Sequence, residues 1–271
     1  MPKTILVTGS TDGIGLETAR VLLSQGHRVL LHGRNPQKLA DAEASLSAIP
    51  RAGHIESYLA DLSKLAEVVT LAKAVSARHD RLDVLINNAG IFRTASPVTR
   101  DGLDVRFVVN TLAPYLLTQR LFSLLGDSGR VINLSSAAQA SVNPEALAGN
   151  TRLTDDFATY AQSKLALTMW SRSMGLALKD KGPAIIAVNP GSLLGSKMVK
   201  EGFGVAGGDI GIGADILTQA ALSKDFADAS GRYFDNDAGR FASPHADALD
   251  DRKLTDMVSL IDMLIAKHTP A

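Results

Sequence analysis

The chain of 271 residues contains no cysteine. That absence excludes a disulfide scaffold, a Cys-ligated zinc site and a thiol nucleophile together. Neither sign of charge is in excess, with 28 Lys and Arg against 28 Asp and Glu. A dedicated nucleic-acid binder normally carries a basic surplus or stripe, so no nucleic-acid partner is expected. No apolar run approaches the roughly 18–20 residues of a membrane span, so none is expected. The start, Met1-Pro2-Lys3, runs straight into a strand-like Thr4–Val7 and lacks the apolar stretch and cleavage site of a signal peptide. A soluble, cytoplasmic protein is expected. There is also no composition break and no internal repeat, so residues 1–271 read as one domain. A chain of this size buries roughly 70–75% of its unfolded surface and needs no covalent or metal staple.

Short apolar runs without alternation occur at Ile5–Val7, Arg28–Leu31, Leu82–Ile86, Arg130–Leu134 and Ala184–Val188. Such runs suit strands covered on both faces. Between them lie helical patterns. In 64–78 the residues Leu65, Val68, Val69, Ala72 and Val75 fall on one stripe, and 14–25 places Ala19, Leu22 and Leu23 on one side. Alternating strands and helices predict right-handed βαβ units and a parallel sheet, an α/β fold. Two stretches break the rhythm. Residues 192–213 hold seven glycines, too many for a stable helix at about 1 kcal/mol each. Residues 137–159 are a polar excursion between a strand and a helix, the kind of long loop that serves as a lid or binding segment.

After the first strand comes Thr8-Gly9-Ser10-Thr11-Asp12-Gly13-Ile14-Gly15, opening directly into a helix. Glycines allow a tight turn and close approach of a pyrophosphate, and the helix N-terminus offers free N–H groups to the anion. No Gly-Lys-Ser/Thr ending follows, which excludes an ATP-type P-loop. The second strand ends Leu31-His32-Gly33-Arg34-Asn35 with no acid to bind a ribose 2′-hydroxyl. Arg34 stands where a guanidinium would pair with the 2′-phosphate of NADP, unless it is a solvated surface residue. NADP(H) is therefore expected over NAD(H). Tyr160 and Lys164 are four apart on a predicted helix, so both lie on one face. A nearby cation moves a phenol toward the phenolate, as an acid/base acting on an alcohol or carbonyl oxygen requires. The six histidines lack metal-ligand spacing, and no metal site is expected.

Thr8–Gly15, Asn87-Asn88-Ala89-Gly90, Ser135-Ser136, Tyr160-x3-Lys164 and Asn189-Pro190-Gly191 come in an order that resembles the short-chain dehydrogenase/reductase family. The resemblance covers roughly residues 3 to 240. It implies a Rossmann-type doubly wound αβα sandwich with about seven mostly parallel strands and a dinucleotide across their C-terminal ends. It further implies hydride transfer between nicotinamide and a carbonyl or secondary alcohol. Tyr160 would be the acid/base, and Lys164 would bind the nicotinamide ribose and lower the Tyr160 pKa. Ser136 would hydrogen-bond the substrate oxygen, with Ser135 as the alternative. Asn110 would support a proton-relay water, or else tie helix to sheet. The cofactor set would be Gly9, Ser10, Thr11, Gly13, Ile14, Gly15, Arg34, Asp61, Leu62, Asn88, Ala89, Gly90, Tyr160, Lys164, Pro190, Gly191 and Leu193, with Asp61-Leu62 at the adenine. Asp61 could instead be a helix N-terminal acid.

Two departures stand out. Between Ser136 and Tyr160 lie 23 residues, longer than the common form and similar to the retinol-dehydrogenase-like branch. Gly195 stands where the family often has a Thr that holds the carboxamide, and Ser196 could substitute. Residues 192–213 correspond to the substrate loop, and Leu193, Leu194, Met198, Phe203 and Val205 would wall an apolar pocket or join the core. The resemblance also implies a homodimer or homotetramer, through 112–125 and 165–178. Residues 251–267 are predicted as a final helix without an assigned role. A non-catalytic NADP-binding sensor on the same fold is the alternative function, though it would need no acid/base. A sugar-nucleotide epimerase is a third reading, disfavoured by its glycine spacing.

Overall fold

Residues 1–50, 52–179 and 181–269 are described by a computed structural model, save the side chain of Phe203. The strands are β1 (Thr4–Val7), β2 (Arg28–Gly33), β3 (Ile55–Leu59), β4 (Val84–Asn87), β5 (Arg130–Leu134), β6 (Ala184–Asn189), β7 (Tyr233–Asp235) and β8 (Arg240–Ala242). They make one sheet in the order β3-β2-β1-β4-β5-β6-β7-β8, parallel except for the β7–β8 hairpin. The order reverses between β1 and β4, and a crevice opens there above the carboxyl ends of the strands.

The strands form as predicted because their side chains are buried on both faces. Ile5 and Val7 join one core layer and Leu6 the opposite one, all at 0% exposure. At about 25 cal/mol per Å² of apolar surface removed from water, these central strands hold the two layers together. The helices are α1 (Gly13–Ser24), α2 (Pro36–Ser47), α3 (Leu65–Ser76), α4 (Val105–Phe107), α5 (Ala113–Arg120), α6 (Phe122–Leu125), α7 (Pro144–Leu147), α8 (Asp156–Ala177), α9 (Lys197–Phe203), α10 (Gly211–Leu222) and α11 (Asp251–His268). Among the described residues, side-chain caps start seven of them: α1, α2, α4, α7, α8, α9 and α11. Asp12, Asn35, Asp155 and Asp250 accept hydrogen bonds from the first free N–H groups of α1, α2, α8 and α11, each cap worth about 1 kcal/mol. Helices α1 and α10 cover one face of the sheet, and α3, α5 and α8 the other.

The mostly parallel sheet of about seven strands is borne out, with eight strands in all among the described residues. Several other expectations are corrected. The predicted helix over 112–125 is broken: a π turn over Val108–Leu112 carries Asn110 into α5, and α6 follows after Leu121. Within 137–159 the chain forms α7 and the start of α8. The glycine-rich 192–213 is not free of helix, because α9 forms there and Gly211 and Gly213 open α10. Gly202 sits inside α9 since a Cβ there would lie 2.5 Å from the Phe92 ring. The packing of this helix on an aromatic ring overrides its poor propensity.

Helix α11 has a role that its sequence left open. Leu254, Met257, Ile261, Leu264 and Ile265 bury one stripe against α8 and α3. Asp262 accepts a hydrogen bond from the Tyr115 hydroxyl of α5 at 2.8 Å. The apolar residues Leu165, Leu167, Met169 and Trp170 of α8 are covered within this chain, at no more than 2% exposure, and Met174 is half-buried.

Candidate active site

The glycine turn is held from three sides. Asn88 Nδ2 donates to the carbonyls of Thr8 and Gly9 at 2.9 and 3.0 Å, and Ala89 N–H donates to Thr8 Oγ1 at 3.1 Å. Gly9 and Gly13 take left-handed φ values of +65° and +58°, which a side chain would strain. A Cβ at Gly15 would stand 2.3 Å from Asn88 Nδ2 and 2.4 Å from Gly9 O. Gly9, Thr11, Asp12, Gly13, Ile14 and Gly15 of this tight turn line the crevice at the start of α1, a cradle suited to a pyrophosphate.

His32 locks the third side, a role that no motif or spacing signals. Its Nδ1 accepts the Gly9 N–H and its Nε2 donates to Ala60 O, both at 3.1 Å. These partners fix one neutral tautomer. Burial lowers its pKa from the ordinary 6.5 to about 4. Between those values an unfolded chain takes up a proton that the folded chain refuses. The stabilisation is thus complete above pH 6.5 and is lost as pH falls through about 4, roughly 3 kcal/mol in all. Urea denaturation at several pH values is expected to show His32→Asn, which keeps an acceptor for Gly9 N–H, losing less stability on acidification than the parent. Equal losses in both proteins would remove His32 as the cause.

A cleft of roughly 340 Å³ gathers most of the anticipated residues. Gly9, Thr11, Gly13, Ile14, Gly15, Arg34, Asp61, Leu62, Asn88, Ala89, Gly90, Tyr160, Lys164 and Pro190 line it, with Met198 of the anticipated pocket wall and with His32, Ala60, Ile91 and Val109, which the motifs did not mark. Arg34 is exposed at the far end and makes no hydrogen bond or ion pair within the described residues. Asp61 Oδ1 accepts from both the N–H and the hydroxyl of Ser63, at 3.1 and 2.8 Å.

Some residues stand elsewhere than anticipated. Ser10 is fully buried, and its hydroxyl is exchanged with the backbone of His32, so it stitches the turn to β2 instead of lining the cleft. Gly191 lies outside the lining, and Leu193 is half exposed with φ +51°. The Leu193 carbonyl accepts the Gly208 N–H at 2.8 Å, and Gly195 N–H donates to Gly208 O at 2.8 Å. A Cβ at Gly195 would lie 2.8 Å from Gly208 O. Threonine at 195 is thereby excluded by the backbone of the same loop. Ser196 lines the cleft instead, and its Oγ accepts the Val199 N–H to cap α9.

At the other end the two serines separate. Ser135 is buried and its hydroxyl is 2.6 Å from Thr168 Oγ1, which in turn donates to Lys164 O. Ser136 Oγ accepts the Ala138 N–H at 3.1 Å and hydrogen-bonds Tyr160. Tyr160 packs edge-on against Phe92 with ring centroids 5.2 Å apart. Asn110 sits behind this surface. Its Oδ1 accepts the Ile91 N–H, and its Nδ2 reaches Ile91 O and Ser163 Oγ, all at 2.8–2.9 Å. Ser163 then donates to Tyr160 O at 2.7 Å. The Asn110 side chain ties its π turn to the loop after β4 and to α8, and that turn is the local distortion that such sites often carry.

One electrostatic expectation is overturned for the chain alone. Lys164 does not lower the Tyr160 pKa; burial raises it, against a smaller lowering from the Ser136 hydrogen bond. Lys164 Nζ is 5.6 Å from the centre of the Tyr160 ring and donates to Leu134 O at 2.7 Å. Burial also lowers the amine itself to about 8. Both groups are desolvated, which favours their neutral forms.

Among the described residues, no cluster of His, Asp and Glu is placed to hold a metal ion, and no helix is long and apolar enough to cross a membrane. The glycine cradle, the unpaired Arg34 and the Tyr160–Lys164 end span one crevice, and these donors fit a nicotinamide dinucleotide phosphate.

Residues 3–203 match the family model described as short chain dehydrogenase. Retinol dehydrogenase 13 of Homo sapiens is 31% identical over 263 residues, covering 90% of this chain and 80% of that protein. Retinol dehydrogenase 12 of Bos taurus is 32% identical over 257 residues, covering 90% and 81%. Among solved structures, the Pseudomonas aeruginosa RhlG/NADP active-site complex superposes with a TM-score of 0.70 at 26% identity, over 88% of this chain and 95% of that one. A metagenomic short-chain oxidoreductase in complex with NADP gives 0.64 at 30% identity, over 84% and 94%.

Proposed function

We propose that this chain, which belongs to the short-chain dehydrogenase family and is an oxidoreductase of CH–OH and carbonyl groups, is an NADP(H)-dependent carbonyl reductase with Tyr160 as its acid. The observation that carries this reading is the single cleft running from Arg34 past the glycine cradle to Tyr160 and Lys164. When bound, the nicotinamide supplies the hydride. Arg34 would hold the 2′-phosphate, the turn over Gly9–Gly15 the pyrophosphate, and Asp61 and Leu62 the adenine. Asn88, Ala89, Gly90 and Pro190 would contact the rest of the cofactor, and Lys164 would bind the nicotinamide ribose. Ser136 and Tyr160 donate hydrogen bonds to the carbonyl oxygen, where negative charge grows as the hydride arrives, and oriented donors are most effective in such a water-poor site. Tyr160 then passes its proton to that oxygen. The raised phenol pKa keeps Tyr160 protonated at neutral pH, as carbonyl reduction requires. Tyr160 and Lys164 in one cleft, with Ser135 in its lining and Ser136 outside the lining but hydrogen-bonded to Tyr160, support an enzyme over a sensor, which needs no proton donor.

Cofactor choice is tested by fluorescence titration with NADPH and with NADH. The parent is expected to bind NADPH more tightly. Arg34→Ala is expected to weaken NADPH by about 10- to 100-fold, the loss of a hydrogen-bonded charge pair, and to leave NADH nearly unchanged. A loss that is equal for both cofactors would refute the 2′-phosphate role. Turnover is then screened with a panel of aliphatic and aromatic aldehydes and ketones.

A further inference from the structure

We propose that Tyr233 and Gln139 are positioning residues that aim the Ser136 hydroxyl, and that through Gln139 the segment after β8 forms part of the active site. This rests on the reading of Ser136 as a donor to the substrate oxygen.

Ser136 lies just past the end of β5. The last ladder contact there is Ser135 N–H to Val188 O at 2.9 Å, and residues 137–143 form no helix or strand. The sheet therefore does not fix the Ser136 peptide. Two side chains do. The Tyr233 hydroxyl, on β7, donates to Ser136 O at 3.2 Å, and Gln139 Nε2 donates to the same oxygen at 2.9 Å. Orientation of that carbonyl sets the backbone torsion beside Ser136 and so the direction of its hydroxyl toward Tyr160.

The Gln139 amide is itself oriented from outside. Its Oε1 accepts the His245 N–H at 3.2 Å. His245 stands in a turn closed by Asp247, whose N–H donates to His245 Nδ1 at 3.2 Å. The Asp247 carboxylate also takes hydrogen bonds from Lys253, at 2.6 Å, and from Ser141. Residues 139–141, in the stretch that lengthens the Ser136-to-Tyr160 spacing, are thus bound to residues 245–247 at two points. The extra residues in the loop and those after β8 form one brace behind Ser136. Tyr233 is 6% exposed and its ring stays buried if the hydroxyl is removed.

The test is a double-mutant cycle on the full chain, using NADPH and the best-accepted aldehyde of the panel. Tyr233→Phe and Gln139→Leu are each expected to lower kcat about tenfold, the order of loss from a misaimed donor, with NADPH affinity by fluorescence titration unchanged. In a Ser136→Ala background neither is expected to lower kcat further, because the group that they aim is gone. Gln139→Glu, which still accepts from His245 but cannot donate to Ser136, is expected to behave like Gln139→Leu. Parental kcat in both Tyr233→Phe and Gln139→Leu overturns the positioning role, and so do equal losses with and without Ser136. Full turnover by Ser136→Ala overturns the reading of Ser136 and the proposal with it.

Discussion

Tyr160→Phe is expected to cut turnover by roughly 10²- to 10⁴-fold, the range for loss of a general acid, while NADPH binding stays close to the parent's. The substitution removes one oxygen and little else. The ring that packs at 5.2 Å on Phe92 and lies 5.6 Å from Lys164 Nζ remains, so the wall of the cleft keeps its shape. What disappears is the proton that reaches the nascent alkoxide, together with the partner of the Ser136 hydroxyl. The same phenol sets the pH behaviour of the two directions. Its pKa is raised by burial, so the protonated form needed for reduction persists through neutral pH. Oxidation of an alcohol needs the phenolate and is expected to gain rate toward alkaline pH. Steady-state rates in both directions, with a cofactor titration of the variant, check this. A variant as fast as the parent would end the acid/base assignment.

Gly15→Ala is expected to damage both stability and cofactor binding. The new methyl would stand 2.3 Å from Asn88 Nδ2 and 2.4 Å from Gly9 O, well inside contact distance. Neither neighbour moves freely. Asn88 is committed to the Thr8 and Gly9 carbonyls, and Gly9 is pinned by His32. Relief requires displacing the turn, at a cost of roughly 1–3 kcal/mol, typical of overpacking a tight site. Because the displaced atoms are those that cradle the pyrophosphate, NADPH affinity is expected to fall at least about tenfold, as 1.4 kcal/mol of that strain would give. Thermal melting and the fluorescence titration measure the two losses separately. An unchanged melting temperature and affinity would mean that the turn is looser than its contacts imply.

The central strands and both ends of the cleft were legible because their signals are local. Apolar runs mark β1, β5 and β6, and Gly9–Gly15 and Tyr160-x3-Lys164 each lie within a single turn or helix. What escaped was set by distant contacts. Strand β3 reads Ile-Glu-Ser-Tyr-Leu at the edge of the sheet, where Glu56 and Ser57 need no second layer over them. Strand β7 has only three residues and exists because it pairs with β6. His32 carries no motif. It matters because it meets Gly9 and Ala60, which are 23 and 28 residues away. Tyr233 meets Ser136 across 97 residues, a separation that no spacing rule covers. Helix α9 formed against its propensity because Gly202 can press on Phe92. Helical spacing did place Lys164 and Tyr160 on one face, but burial of both groups, which depends on the packing around them, dominates their pKa shifts in the chain alone.

Helix α11 has a consequence for how the molecule is made. It packs on α8 and α3, and its Asp262 meets Tyr115 across 147 residues. All of those partners leave the ribosome before it does. During synthesis the helix bearing Tyr160 is therefore complete in sequence before the buried stripe of α11 that packs on it has been made. Long-range closures of this kind come late in folding and leave apolar surface open to association until they form. The order of translation thus leaves that face of α8 and α3 to be covered once α11 has been made.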